Sequence, residues 1–268
     1  VRGKLSPEEA EREAEAIAAT GLRHVLLLTG ESPAESPVSY IAECSRRIRK
    51  FFDSVSIEVY PLSEDDYTRL ADSGIDGITL FQETYDETLY PSLHPTGPKH
   101  DFRNRLDAPE RACRGGMRTV GIGALLGLSD WRREAFLTGL HASWLQKNHP
   151  SSSIGFSLPR IRPHEGSFMP DDPVNDRELV QIMLATRLFM PSAPITISTR
   201  EHAFMRDNMV GLGMTRMSAG VSTGVGGRTT EEKTCGQFDI SDERSVAEVC
   251  AMIESNGFQP VLKDWMRL

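Results

Sequence analysis

Two hydrophobic rhythms take turns along the chain: short apolar runs, and longer stretches in which apolar residues return every three or four positions. The clearest unit lies between Thr119 and His149. Thr119-Val-Gly-Ile-Gly-Ala-Leu-Leu-Gly is an apolar run bounded by glycines, the pattern of a strand buried on both faces. Leu128-Ser-Asp-Trp then starts a helix. Within it Ala135, Leu137, Leu140, Trp144 and Leu145 recur at helical spacing, with Arg132, Arg133, Glu134, Gln146 and Lys147 on the other faces.

The same alternation organises the rest. Ser6-Pro-Glu-Glu caps a helix through Ala19 that Gly21 closes, and His24 to Glu31 is a strand with a polar tip. A helix over Val38 to Phe52, a strand over Ser54 to Pro61, a helix from Ser63 to about Ser73 and a strand over Gly77 to Thr84 follow. Tyr85 to Asp101 reads as a long loop, a length that in a compact domain marks function or disorder. After a helix around Ala108 to Gly115 and the Thr119–His149 unit come a strand (Ser152 to Pro159), a helix (Asp176 to Phe189), a strand (Pro194 to Thr199) and a short helix (Glu201 to Met209). The last strand is Arg216 to Val221 and the last helix Asp242 to Glu254.

Strict alternation of helix and strand implies a parallel sheet, either doubly wound or closed as a (β/α)8 barrel. The strand tips favour the barrel. Thr29-Gly-Glu, Gln82-Glu-Thr, Pro159-Arg-Ile-Arg, Ser198-Thr-Arg and Met217-Ser-Ala put charged or hydroxyl groups at almost every carboxyl end, where barrels build active sites. An open sheet would gather them at one switch point. The pattern yields seven strands and begins with a helix, so the expected fold is an α/β, TIM-type barrel missing its first strand. Residues 1–268 form one domain, with a C-terminal helix and tail from about 242 to 268.

Composition narrows the function. Hydrophobic residues make up 39% of the chain, and no apolar run reaches the roughly 18 residues of a membrane helix. A formal charge of -8 argues against a phosphate-backbone partner, so neither nucleic acid nor membrane is expected. Cys44, Cys113, Cys235 and Cys250 are scattered without metal-ligand spacing, as in a cytoplasmic protein with reduced thiols. The seven histidines form no HxxxH or HExxH pattern; His94 and His100 flank the long loop and receive no metal.

The motifs at the tips resemble the radical S-adenosylmethionine tyrosine lyases, the family of 2-iminoacetate synthase of thiamine biosynthesis and of the tyrosine lyase of hydrogenase maturation. The resemblance rests on Leu28-Thr-Gly-Glu31, Ile57-Glu-Val-Tyr-Pro-Leu62, Phe81-Gln-Glu-Thr-Tyr85, His94-Pro-Thr-Gly-Pro-Lys-His-Asp101 and Gly121-Ile-Gly-Ala-Leu-Leu-Gly-Leu-Ser129. Phe156-Ser-Leu-Pro-Arg-Ile-Arg-Pro163, Ile197-Ser-Thr-Arg-Glu201, Arg216-Met-Ser-Ala-Gly220 and Val261-Leu-Lys-Asp-Trp265 extend it to the end of the chain. One feature departs from the family: there is no CxxxCxxC to hold a 4Fe-4S cluster. Either a segment ahead of Val1 carries the first strand and that triplet, the reading favoured by the otherwise intact motifs, or this is a cluster-less relative.

The resemblance implies roles. Thr29, Gly30 and Glu31 correspond to the loop that binds the methionine amino group of S-adenosylmethionine; alone, a Gly-Glu after a strand is usually a plain turn. Glu58 and Glu83 are charges in apolar strands, costly if unpaired, and Arg105 is suited to a carboxylate. Spacing allows a structural Glu83–Arg105 salt bridge as readily as a ligand site, and the resemblance points to ribose and carboxylate contacts with the cofactor. Gly121 and Gly123 miss the GxGxxG spacing and are implied to let the adenine side lie on backbone. Arg160, Arg162, Arg200 and Ser218 sit on three consecutive strand ends, where arginine suits an amino-acid carboxylate. For Arg162 a surface pairing with helix acids fits as well.

The implied activity is a carbon–carbon lyase. A reduced cluster cleaves S-adenosylmethionine to a 5′-deoxyadenosyl radical, which takes a hydrogen from tyrosine and breaks its Cα–Cβ bond to give 2-iminoacetate (dehydroglycine) and p-cresol. The implied partners are tyrosine, a thiazole synthase protein and an electron donor such as flavodoxin or ferredoxin. Without a cluster triplet this chain alone is expected to be inactive. Two alternatives stand beside this: the tyrosine lyase of FeFe-hydrogenase maturation, whose further cluster-binding segment begins where this chain reads Leu262-Lys-Asp-Trp-Met, and a cluster-less, non-catalytic binding protein.

Overall fold

The computed structural model describes residues 3–161, 172–222, 224–229 and 240–263. Helix starts follow capping chemistry. In α1 (Pro7–Ala18) the Ser6 hydroxyl accepts from the Glu9 N–H and the Glu9 carboxylate accepts from the Ser6 N–H, which satisfies two otherwise orphaned donors. The same reciprocal box, Asn175 with Glu178 and Ser245 with Glu248, opens α8 (Asp176–Phe189) and α10 (Val246–Ser255). The remaining helices are α2 (Val38–Ile48), α3 (Glu64–Asp72), α4 (Tyr90–Leu93), α5 (Phe102–Leu106), α6 (Ala108–Arg114), α7 (Trp131–Asn148) and α9 (Ala203–Met209).

Seven strands, β1 (His24–Leu28), β2 (Ser54–Glu58), β3 (Gly77–Glu83), β4 (Thr119–Ala124), β5 (Ser153–Ser157), β6 (Ile195–Ile197) and β7 (Arg216–Met217), form one sheet in sequence order, every neighbouring pair parallel. Among the described residues β1 and β7 are edges and do not pair with each other. This is the expected helix–strand order with an unclosed parallel sheet.

Register sorts the side chains onto two unlike faces, because partners across a parallel ladder point the same way. One face carries Val55, Ile57, Ile78, Leu80, Val120, Ile122, Ile154, Phe156, Ile195 and Ile197, all buried in the core beneath the helices. The other, inner face carries small groups through its middle, Ser56 beside Gly77, Gly77 beside Thr119, Thr119 beside Ser153, and Thr79, Gly121 and Gly155 in a row, with Leu26 and Leu28 of β1 and Phe81 of β3 as its large side chains. The central strand is therefore not apolar on both faces as its sequence suggests; it is greasy outside and narrow inside. Narrowness has a steric cause, since a Cβ on Gly77 would fall 1.8 Å from Thr119 Oγ1 and one on Gly123 would fall 2.2 Å from the Ser157 carbonyl.

Four expectations change. Tyr85 to Asp101 is not an irregular loop: it contains α4 and a 3-10 turn at Pro98–His100, and Asp101 caps α5 by accepting from the Asn104 N–H at 2.9 Å. The last strand stops at Met217, and Gly220 turns the chain with φ 57°. The last helix begins at Val246 because Ser245 is its cap, while Asp242 is occupied by Arg206 and Arg244. The buried face of α7 is rotated from the one that hydrophobicity marks. Trp131, Glu134, Thr138, Ala142 and Leu145 are buried, whereas Leu140 and Trp144 are 45% and 47% exposed.

Burial of Glu134 explains that rotation. Its carboxylate accepts from Thr84 Oγ1 at 2.7 Å and from the Tyr85 N–H at 2.8 Å, fixing the turn that leaves β3. Burial pushes its pKa up, against the two hydrogen bonds. Glu134→Ala leaves both donors unsatisfied, each worth about 1–3 kcal/mol. We expect a loss of about 2–4 kcal/mol in urea unfolding; an unchanged midpoint would show that the clamp does not hold the turn.

Candidate active site

The site grows from the carboxyl ends of β1, β2, β3 and β6. Past β1 the Thr29 N–H donates to the Glu58 carbonyl at 3.2 Å, extending the ladder by one rung and bringing Glu31 over the sheet edge. At the end of β3 the register slips between Phe81 and Glu83, and Glu83 takes φ 71°, a left-handed conformation unfavourable for a residue with a Cβ. Such backbone persists only where surroundings hold it. Here the Glu83 carbonyl accepts from the Leu125 N–H at 2.8 Å and its side chain meets two cations.

Those cations are Arg105 and Lys99. Arg105, its side chain 5% exposed, donates from Nε to the Phe81 carbonyl (2.6 Å), from Nη1 to Glu31 Oε1 (2.7 Å) and from Nη2 to Glu83 Oε1 (3.4 Å). Lys99 Nζ stands 2.6 Å from Glu83 Oε1 and 3.6 Å from Glu31 Oε1. Burial works to raise the pKa of Glu83, but Lys99 and Arg105 outweigh it and hold the carboxyl below its ordinary value. The Glu83–Arg105 salt bridge, which spacing allows as readily as a ligand site, exists as one edge of a four-membered network. Sequence reasoning did not place Lys99 here: within the 85–101 stretch it is a single lysine with no partner spacing to mark it.

Glu58 ends β2 and Arg200 follows β6, and each feels the other's charge and that of Glu83. Burial pushes the Glu58 carboxyl up to about 7, with Arg200 the strongest opposing influence and Glu83 adding to the rise. Arg200 is lowered by burial against the attraction of Glu58 and Glu83. Its N–H donates to Ser198 Oγ at 3.3 Å, and Ser218 Oγ accepts from the Thr199 N–H at 3.2 Å, which ties the ends of β6 and β7. Arg206 of α9, paired with buried Asp242, also donates to the Ser218 carbonyl.

Arg160 is placed differently. It is 2% exposed, and its guanidinium donates to Glu201 through two nitrogens, to the Val174 carbonyl (2.8 Å) and to Asp176 Oδ1 (2.6 Å). Its geometry is that of a strut joining the tip of β5 to the start of α8. Arg162 lies outside the described residues. Gly123 is accounted for by the Ser157 carbonyl, and a Cβ on Gly121 would stand 3.1 Å from Thr79 Oγ1; close strand packing explains both.

Two observations show that the network fits the amino-acid end of S-adenosylmethionine. Thr29 Oγ1 and Glu31 Oε2 are buried side-chain atoms without a hydrogen-bond partner, and a Cβ on Gly30 would meet nothing within 4 Å. An α-ammonium suits the open acceptor of Glu31, and an α-carboxylate suits the remaining N–H groups of Arg105. An iron–sulfur cluster does not fit the described residues. They contain no group of three or more His, Cys, Asp and Glu able to hold a metal, and burial pushes the thiols of Cys44, Cys113 and Cys250 up rather than towards thiolate.

Glu58 gives the site a pH dependence whose sign follows from its raised pKa. Between about 4.5 and 7 the folded chain keeps a proton that the unfolded chain releases, so stability is full below that window and falls as pH rises through it. Glu58→Gln removes the loss. Relative to the parent, the variant should gain up to about 3 kcal/mol between pH 4 and pH 8 in urea unfolding; a pH-independent difference would contradict the assignment.

The chain is similar to known proteins over nearly its whole length. Residues 2–138 match the model of the Radical SAM superfamily, and residues 157–259 match the Biotin and Thiamin Synthesis associated domain. The 2-iminoacetate synthases of Salmonella typhimurium and Escherichia coli are each 38% identical over 265 residues, covering 98% of this chain and 70% of theirs. A crystal structure of HydG, a maturase of the FeFe-hydrogenase, superposes with a TM-score of 0.91 at 31% identity, over 98% of this chain and 59% of that one. HydG from Carboxydothermus hydrogenoformans gives 0.88 at 35% identity, over 98% and 61%. The chain thus spans about three fifths of the length of the HydG structures. Methylornithine synthase, 19% identical with a TM-score of 0.75, shares the fold. The chain belongs to the radical SAM superfamily, in the branch that contains 2-iminoacetate synthase.

Proposed function

We propose that the protein to which this chain belongs is a radical SAM lyase that cleaves the Cα–Cβ bond of tyrosine to 2-iminoacetate and p-cresol, for thiazole formation in thiamine biosynthesis. The observation that carries the reading is the charged network of Glu31, Glu83, Lys99 and Arg105 at the sheet mouth, suited to the charged end of an amino acid. Arg200, at the tip after β6 and within electrostatic reach of Glu58 and Glu83, is suited to a second carboxylate. The relatives at 38% identity, named 2-iminoacetate synthase, support the same reaction.

In this reading the first centre grips the methionine end of the cofactor through Glu31 and Arg105. A 4Fe-4S cluster, whose ligands are not among the described residues, would with bound S-adenosylmethionine supply the hydrogen-abstracting chemistry of the superfamily. Arg200 holds the tyrosine carboxylate, with Ser218 bracing the neighbouring tip, and Arg160 keeps β5 and α8 in place beneath them. The thiazole synthase and a flavodoxin or ferredoxin donor remain the proposed partners. Among the described residues no helix is long and apolar enough to cross a membrane; a cytoplasmic location is part of the proposal.

The likeness to HydG favours, as a second reading, the same lyase step in hydrogenase maturation. An anaerobic assay of full-length, cluster-reconstituted protein tests both. p-Cresol from tyrosine with one cluster per chain is the expected result; two clusters per chain would favour the maturase, and S-adenosylmethionine cleavage without p-cresol would exclude both. In the same protein Arg200→Lys keeps the charge but loses the two-pronged geometry. Losing one charge-assisted hydrogen bond costs about 1.5–3 kcal/mol, roughly tenfold to a hundredfold in tyrosine affinity. S-Adenosylmethionine affinity should stay nearly unchanged, and the reverse pattern would move Arg200 to the cofactor site.

A further inference from the structure

The four-membered network is already balanced, two cations against two acids, before any ligand's ammonium arrives. Glu31 Oε1 lies 2.7 Å from Arg105 Nη1 and 3.6 Å from Lys99 Nζ, and Glu83 Oε1 lies 3.4 Å from Arg105 Nη2 and 2.6 Å from Lys99 Nζ. Each of these oxygens is shared by both cations. A third cation brought to the same carboxylates meets like charge on two sides at close range. An ammonium can be accommodated in full only if a resident cation withdraws.

The two residents differ in their freedom to do so. Arg105 is 5% exposed at its side chain and also tied to the Phe81 carbonyl, so moving it would uncouple β3 from α5. Lys99 is 32% exposed, sits on the 3-10 turn at Pro98–His100 behind Gly97 with φ 83°, and is held at its ammonium by those two carboxylates. Its ammonium has the charge, donor number and position that an α-ammonium needs beside Glu31, whose Oε2 is still without a partner.

We propose that Lys99 is a positioning residue that holds the place of the cofactor's α-ammonium between Glu31 and Glu83 and is displaced when the cofactor binds. The site then enters catalysis by cation exchange, and its two carboxylates are never left buried without a counter-charge. This rests on the reading that the network takes the methionine end of S-adenosylmethionine.

The test uses full-length, cluster-reconstituted protein under anaerobic conditions and two readouts. The first is the rate at which the Lys99 amine is acylated, read by peptide mass spectrometry. It should rise about fivefold or more with S-adenosylmethionine and not with 5′-deoxyadenosine, which lacks the ammonium. The second is equilibrium dialysis of Lys99→Met. It should bind S-adenosylmethionine about tenfold more tightly, the factor for a site open about a tenth of the time, with 5′-deoxyadenosine affinity unchanged. Acylation that slows on binding, or a Met variant that binds no tighter, would overturn the proposal and make Lys99 a fixed contact. A parent protein that binds S-adenosylmethionine no better than 5′-deoxyadenosine would instead remove the methionine-end reading, and the placeholder with it.

Discussion

Arg105 is the contact on which the mouth of this sheet depends. A guanidinium taken out of water is costly unless its donors find charged or carbonyl partners, and here three residues from two places in the chain supply them: Glu31 beyond β1, and Phe81 and Glu83 at the end of β3. The same cation draws two carboxylates together that would otherwise repel, and it gives Glu83 a reason to stay in its left-handed backbone conformation. Removing it would leave two acids facing each other across a narrow gap with Lys99 alone between them.

The strands supply a fitting platform for that contact because their two faces are unlike. Large aliphatic side chains on the outer face bind the helices to the sheet, and serine, threonine and glycine on the inner face let neighbouring strands approach closely. The charges of β2 and β3, Glu58 and Glu83, stand where those strands run out, which is where ligand chemistry needs them. Buried struts such as Arg160 with Glu201 and Asp176, and Arg206 with Asp242, keep the later tips from splaying.

Most of the architecture was legible because it rests on local signals. Apolar runs, capping residues and punctuating glycines located the seven strands and nearly all the helices, and the alternation in Ser54-Val-Ser-Ile-Glu and Ser153-Ile-Gly-Phe-Ser carries the two-faced character as well. What sequence could not supply was tertiary choice. Leu140 and Trp144 mark the greasier side of α7, yet the helix turns Glu134 and Thr138 inward because the turn after β3 needs an acceptor. Arg160 and Arg200 look alike at strand ends, and only packing separates the strut from the residue beside Glu58. Lys99 is an ordinary lysine in a loop until the fold lays it across Glu31 and Glu83.

The central claim is that one sheet mouth holds two amino-acid ends at separate charged centres. It is met most directly by a crystal structure of the full-length, cluster-loaded protein with S-adenosylmethionine and tyrosine both bound. The account predicts the methionine ammonium at Glu31, its carboxylate at Arg105, and the tyrosine carboxylate in two-pronged contact with Arg200. A tyrosine carboxylate seated on Arg105, or a cofactor whose methionine end touches neither Glu31 nor Arg105, would contradict it.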